Sequence, residues 1–159
     1  MSTLGDLYHH DRVPLLGALR EETVEFIAQH ASHASIKAGE VIFSEGATGE
    51  SLYLIESGRV EIFHPDTGEQ NAVAIFSTGD CFGEMALIDC QPRSASAVAL
   101  EPTELCVISG NTLFELYRFD IEQFAVLQMN ISREVIRRLR QAANRPTQVP
   151  VSVPLKQGR

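Results

Sequence analysis

Cysteine is scarce in this chain: 159 residues hold three, Cys81, Cys90 and Cys106. An odd number with no C-x-x-C pair argues against a disulfide framework and against a zinc ribbon, so reduced and partly buried thiols are expected. Apolar runs stop after a handful of residues, and the N-terminus MSTLGDLYHHDRV has no basic flank leading into a hydrophobic stretch. Neither a signal peptide nor a membrane span is read there, and a cytosolic location is the expectation. A G-x-S-x-G elbow is absent, and no cysteine has a histidine close to it in sequence. Nucleophilic catalysis therefore finds no support, and no catalytic residue is assigned.

Basic side chains are also few, 13 against 21 acidic ones, for a formal charge of −8. Their division along the chain is more informative than the sum. Residues 1–130 carry six basic and 20 acidic side chains, whereas residues 131–159 carry seven basic ones and only Glu134. An acidic body repels a nucleic-acid backbone, and a short basic segment is ordinarily a solvated helix face. Hydrophobic residues at 44% and charged residues at 21% are ordinary globular values. One domain with a sizeable core is expected, and a disordered acidic chain or a coiled coil is excluded.

The order of the chain divides into three textures. From Val13 to about Ala31 the apolar residues Leu16, Leu19, Val24, Ile27 and Ala31 recur at three- and four-residue spacings, with Glu21 and Glu22 suited to a first turn, which predicts a helix or a helix pair. From His33 to Ser109 short runs, VIF, LYLI, VEIF, AVAIF, SAVAL and LCVI, alternate with Gly39, Gly46, Gly49, Gly58, Gly68 and Gly79. That is the pattern of an antiparallel sandwich or barrel, with reversals read at Ser57–Gly58 and at Pro65–Gly68. After Gly110 the pattern is helical again, near Asn111–Arg118 and from Asp120, a suitable cap, to Ala143. At 100° per residue Ile121, Phe124, Ile131, Val135, Leu139 and Ala142 share a stripe predicted to pack, with Arg133, Arg137 and Arg140 nearly opposite. Met129 and Ile136 widen the apolar arc enough for two contacts, the helix's own domain and a partner. Residues 144–159 hold three prolines and no apolar period, and read as a flexible tail; residues 1–12 read as a leader.

The sharpest chemistry lies in FGEMALIDCQPRSASAV, residues 82–98. Gly83 lets a ligand approach the backbone, and the amides of Met85, Ala86 and their neighbours are free donors at the start of a short helix, which suits an anion. Arg93, nine residues beyond Glu84, adds a planar donor fitted to phosphate oxygens, and Ser94 adds a hydroxyl. Glu84 is a poor neighbour for a phosphate but a good acceptor for a ribose hydroxyl. The bland alternative is a surface pair of Glu84 with Arg93, worth about 0 to 1 kcal/mol.

This stretch resembles the phosphate-binding cassette of the cyclic nucleotide-binding domain, the sensor of protein kinase A regulatory subunits, catabolite activator proteins and cyclic nucleotide-gated channels. The likeness extends to EGATGESLYLIESGRVEIF and STGDCFGE and covers roughly residues 13–143. It implies a mainly β fold: an antiparallel jelly roll of eight strands with N-terminal helices, a short cassette helix and a long C-terminal helix that closes over the ligand. By the same resemblance Glu84 contacts ribose, Arg93 the phosphate and Ser94 supplies the neighbouring hydroxyl. Phe82, Gly83, Met85, Ala86 and Ala95 complete the cassette, most of them through amide donors. Ile62, Val73 and Ala74 fall on the apolar wall near the base. Arg138, at the edge of the apolar stripe, is a lid candidate; a stem laid on apolar surface with its head in water is the ordinary outcome for such a residue.

The resemblance implies a cyclic nucleotide ligand, cyclic AMP ahead of cyclic GMP, with no resident cofactor. The family's activator proteins use hydroxyl residues on the long helix to hold the base, where RRLRQAANR offers Ala142 and Ala143. The histidines 9, 10, 30, 33 and 64 place no H-x-H pair on a strand, so the metal of cupin-type jelly rolls is not expected. Output passes to a separate, unidentified effector, and a homodimer through the C-terminal helix is expected. Alternatives are a jelly roll that has lost its ligand and serves dimerisation, and a fragment of a catabolite activator-type transcription regulator. About 16 residues follow the long helix, too few for a helix-turn-helix, so DNA is not an expected partner, nor is a membrane.

Overall fold

A computed structural model describes residues 4–8, 13–65 and 72–144; the described elements place two sheets between helices. Before the sheets come helix α1 (Leu4–Tyr8), a 3-10 turn (Pro14–Leu16) and helix α2 (Glu21–His30). The helix pair foreseen over 13–31 is thus a 3-10 turn followed by α2. Leu4 and Leu7, within the segment read as a leader, are buried in the core. His9 and His10 and most of the tail lie outside the described residues.

Eight strands follow: β1 (Ser32–Ile36), β2 (Val41–Phe43), β3 (Ser51–Ser57), β4 (Arg59–Phe63), β5 (Ala72–Ser77), β6 (Cys81–Phe82), β7 (Ser96–Ala99) and β8 (Thr103–Ser109). They form two four-stranded antiparallel sheets, ordered β1-β8-β3-β6 and β2-β7-β4-β5. Each of the six apolar runs read from the sequence overlaps a strand. β1, with the sequence SHASI, has no such run and was missed; its pairing with β8 from Ser32↔Val107 to Ile36↔Thr103 holds it in place. The reversal read at Ser57–Gly58 is a corner and not a hairpin, because β3 belongs to one sheet and β4 to the other.

Both faces of the first sheet are covered. Alternate side chains of a strand point to opposite faces, so Leu52 and Leu54 of β3 with Cys106 and Ile108 of β8 meet the helices, while Ile55 and Leu105 meet Val60, Phe82 and Ala97 between the sheets. The cassette helix α3 (Glu84–Asp89) interrupts the strands between β6 and β7. Helices α4 (Gly110–Phe119) and α5 (Ile121–Ala143) close the chain, each opened by a side-chain cap: Ser109 accepts from the Thr112 amide and Asp120 from the Gln123 amide, both at 3.1 Å.

The buried face of α5 differs from the stripe expected. Gln123, Leu127, Asn130, Ile131 and Glu134 are buried, whereas Ile121 and Leu139 are 60% and 68% exposed. Hydrogen bonding explains the shift. Gln123 Oε1 accepts from the Arg20 amide at 2.7 Å and from Thr23 Oγ1 at 2.9 Å; Asn130 Nδ2 donates to the carbonyls of Leu15 at 2.9 Å and Gly17 at 2.7 Å. These carbonyls and amides of the N-terminal turns need partners once covered, and amide side chains supply them where leucine cannot. Among the described residues no helix is long and apolar enough to cross a membrane.

Candidate functional site

A cavity of about 350 Å³ opens between the second sheet, α3 and the C-terminal half of α5. All twelve residues singled out above line it: Phe82, Gly83, Glu84, Met85, Ala86, Arg93, Ser94, Ala95, Ile62, Val73, Ala74 and Arg138. Phe43, His64, Phe76 and Gln141 line it too and were not foreseen; so does Ala142, which the resemblance sets in the stretch of the long helix toward the base. Strand alternation carries the signal for Phe76, which shares the face of Ala74, and helical spacing carries it for Gln141, three residues after Arg138. Phe43 and His64 reach the cavity only through the pairing of β2, β7 and β4.

Arg93 sits at one end, 95% withdrawn from solvent with a relative exposure of 5%. Its backbone is strapped to the loop before β3, the amide donating to Ala47 O and the carbonyl accepting from the Gly46 amide, each at 2.8 Å. Nη1 donates to Gly83 O at 2.7 Å and Nη2 to Ser51 O at 2.9 Å, while Nε has no partner. The guanidinium lies over Phe43, 4.3 Å from the ring centre, and near Tyr53 at 5.6 Å. No carboxylate pairs with it among the described residues. The Glu84–Arg93 surface pair is therefore not formed.

Two glycines make this arrangement. Gly83, at φ 79° ahead of α3, adopts the left-handed conformation that a side chain disfavours, and a Cβ there would lie 2.8 Å from Arg93 Nη1. Gly49 is tighter: a Cβ built on it falls 2.1 Å from Arg93 Nε. Gly49 was read from the sequence only as turn punctuation, since nothing local says that residue 93 packs over it.

Glu84 opens α3 with an exposure of 4% and is answered from α5. Arg138 Nη1 donates to Glu84 Oε1 at 2.7 Å, Nη2 donates to Cys81 O, and the guanidinium lies 4.3 Å from the centre of the Phe76 ring. The expectation that Arg138 would hold its head in water is corrected: the buried carboxylate draws it in, since an unpaired buried charge costs several kcal/mol. Glu134, also buried, stands 3.9 Å from Arg138 Nη2 and pairs with Arg137 Nη2 at 2.7 Å, which raises the Arg137 pKa. Met85 and Ser94 are exposed at the mouth and Ala86 and Ala95 are buried in the floor. Among the described residues no three His, Cys, Asp or Glu side chains converge as metal ligands. Burial pushes the thiols of Cys81 and Cys106 up to about 12, and Cys90 is exposed at the end of α3.

Comparison with known proteins points the same way. The model of the cyclic nucleotide-binding domain matches residues 33–120. The cyclic AMP receptor protein of Thermus thermophilus is 35% identical over 130 residues, 81% of this chain and 58% of that one. A cAMP-dependent protein kinase regulatory subunit of Aspergillus fumigatus is 42% identical over 89 residues, 56% of this chain and 21% of its own length. The crystal structure of the Thermus thermophilus catabolite activator protein superposes with a TM-score of 0.72 at 35% identity, covering 82% of this chain and 60% of that one. The chain thus spans little more than half of the first relative and about a fifth of the second.

Proposed function

The chain belongs to the cyclic nucleotide-binding domain family, and from that premise we propose that it is a non-catalytic regulatory module that binds cyclic AMP in preference to cyclic GMP. One observation carries the reading above the others: Arg93 is a buried guanidinium with no carboxylate partner among the described residues and a free Nε. Burying a cation without an anion is unfavourable, so a fold that keeps one so is built to receive an anion. In the proposal the cyclic phosphate meets Arg93, the amides of Gly83, Met85, Ala86 and Ala95, and the Ser94 hydroxyl. Glu84 accepts from the ribose hydroxyl beside Phe82. The base lies toward Ile62, Val73 and Ala74, under Arg138.

The signal would leave through α5. Arg138 joins that helix to the cassette carboxylate, so a ligand that engages Glu84 changes the balance of contacts holding α5 down. Ligand shifts the helix only as far as it prefers one position over the other. The named relatives, a cyclic AMP receptor and a cyclic AMP-dependent kinase subunit, support the class and favour adenine. A homodimer is also part of the proposal: Ala125, Met129, Ser132, Ile136, Leu139 and Ala143 are exposed and follow one another at spacings of four and three, the period of a two-helix seam. The effector is a separate protein of unspecified identity. Nucleic acid is outside the proposal, because the body through residue 130 carries 20 acidic and six basic side chains.

Isothermal titration with cyclic AMP tests the reading. Arg93→Ala should weaken binding by about tenfold to a hundredfold, the worth of a charge-assisted contact. Equal affinity of wild type and variant would sink it.

A further inference from the structure

We infer that Phe43 is a positioning residue for the anion site: its ring face holds the Arg93 guanidinium where a carboxylate would otherwise do so, which fixes the arginine and leaves its charge unbalanced for the phosphate. The inference rests on the cavity's being a cyclic nucleotide site and concerns how the phosphate end is kept ready before a ligand arrives.

An irregularity in β2 brings the ring to this place. Val41 pairs with Val98 of β7 and Phe43 with Ala97, so two steps along β2 oppose one along β7. Such a bulge re-aims the side chains that follow it. Phe43 and Ile42 both pack against the cluster between the sheets, whereas Val41 is 50% exposed on the outside. The ring of Phe43 is in turn held by its neighbours, with centroids 5.8 Å from Tyr53 and 6.0 Å from the fully buried Phe82.

A cation withdrawn from water needs an electrostatic partner. A carboxylate is the strongest one, but it cancels the charge that a phosphate requires and repels the phosphate itself. An aromatic face attracts a cation within about 6 Å through its quadrupole and carries no net charge. Arg93 has partners of this second kind, Phe43 at 4.3 Å and Tyr53 at 5.6 Å. Its Nη1 and Nη2 donate to the carbonyls of Gly83 and Ser51, and Nε is left unpartnered. Arg138, across the cavity, supplies the contrast. It lies at the same 4.3 Å from the Phe76 ring, but it also bonds Glu84 Oε1 at 2.7 Å and stands 3.9 Å from Glu134 Oε2. Two arginines of one cavity thus share a ring contact and differ in charge balance: Arg138 is tied to the protein's own carboxylates, and Arg93 is left for an anion from outside. A planar guanidinium with carbonyls on its donors and a ring on its face has little freedom to turn away from that anion.

Replacement of Phe43 by phenylalanines carrying one, two and three ring fluorines tests the role of the face, since fluorine withdraws electron density from the ring with little change of shape. Isothermal titration of the full chain with cyclic AMP should show an affinity that falls with each added fluorine, by about five- to thirtyfold over the series, the worth of a desolvated cation–π contact. Phe43→Leu, apolar and without a π face, should lose at least as much. In an Arg93→Ala background the fluorinated series should be flat, because the ring then has no cation to hold, and circular dichroism should be the same throughout. An affinity indifferent to fluorination, or one that falls equally with and without Arg93, overturns the positioning role while leaving the site intact. Failure of the unmodified chain to bind cyclic AMP overturns the site and its positioning residue together.

Discussion

Arg93 is held by what surrounds it more than by what it pairs with. Two carbonyls take its terminal nitrogens, an aromatic ring covers its face, and Gly49 leaves room beside Nε. Gly49→Ala should displace the guanidinium, because a Cβ at 2.1 Å from Nε cannot be accommodated without movement of the arginine or of the loop. The expected outcome is a loss of cyclic AMP affinity of about tenfold, smaller than or equal to that of Arg93→Ala, with unfolding by denaturant changed by about 1 kcal/mol or less. Calorimetry and a denaturation curve on the same preparation separate the two. Undiminished affinity would show that the position of Arg93 does not depend on the glycine. Residue 93 itself was legible from its neighbours in sequence, whereas Gly49, 44 positions earlier, was not.

At the scale of the element, α5 has three jobs on three faces. Its first half is bolted to the N-terminal turns by Gln123 and Asn130, its second half reaches the cassette through Arg138, and its outer face is apolar and uncovered. Asn130→Ala would remove both bonds from Nδ2 and leave the carbonyls of Leu15 and Gly17 covered without donors. A loss of about 2 kcal/mol in denaturant unfolding is expected, against about 0.5 kcal/mol or less for Ser132→Ala on the exposed face. Similar values for the two would mean that water reaches those carbonyls. The helix and its cap at Asp120 were read correctly from the sequence, but its phase was not. Hydropathy ranks glutamine, asparagine and glutamate as outward residues, and here they are buried because backbone groups and Arg137 meet them.

For the whole molecule, the exposed apolar stripe on α5 is the feature on which the proposed homodimer rests. Met129 and Ile136 are 54% and 51% exposed on the same line as Leu139, and an apolar helix face at a heptad spacing is completed by another such helix. Sedimentation equilibrium should give twice the 17.5 kDa chain mass, and Ile136→Glu with Leu139→Glu should return it to the single value while cyclic AMP still binds. A wild-type mass of one chain at micromolar concentration removes the dimer. The apolar arc was legible in the sequence as too wide for one surface, although which half of it faces outward was not; the partner contact it suggests is what the sedimentation experiment tests.

The glycine, glutamate, proline, arginine and serine of the cassette, the strand runs and the capped helices are local signals, carried by neighbours in sequence. They were sufficient for strands and helices in this order, and with the family resemblance they pointed to twelve of the residues that line the cavity, because turn conformation, alternation and helix capping act over a few residues. What needed the tertiary structure was every relation between distant segments: the sheet change at Gly58, the fit of Gly49 under Arg93, the burial of Gln123 and Asn130 and the inward turn of Arg138. Those depend on which unsatisfied charge or backbone group happens to stand opposite a side chain once the chain is packed. Composition and periodicity do not contain that information, since the partner of Arg138 lies 54 residues away.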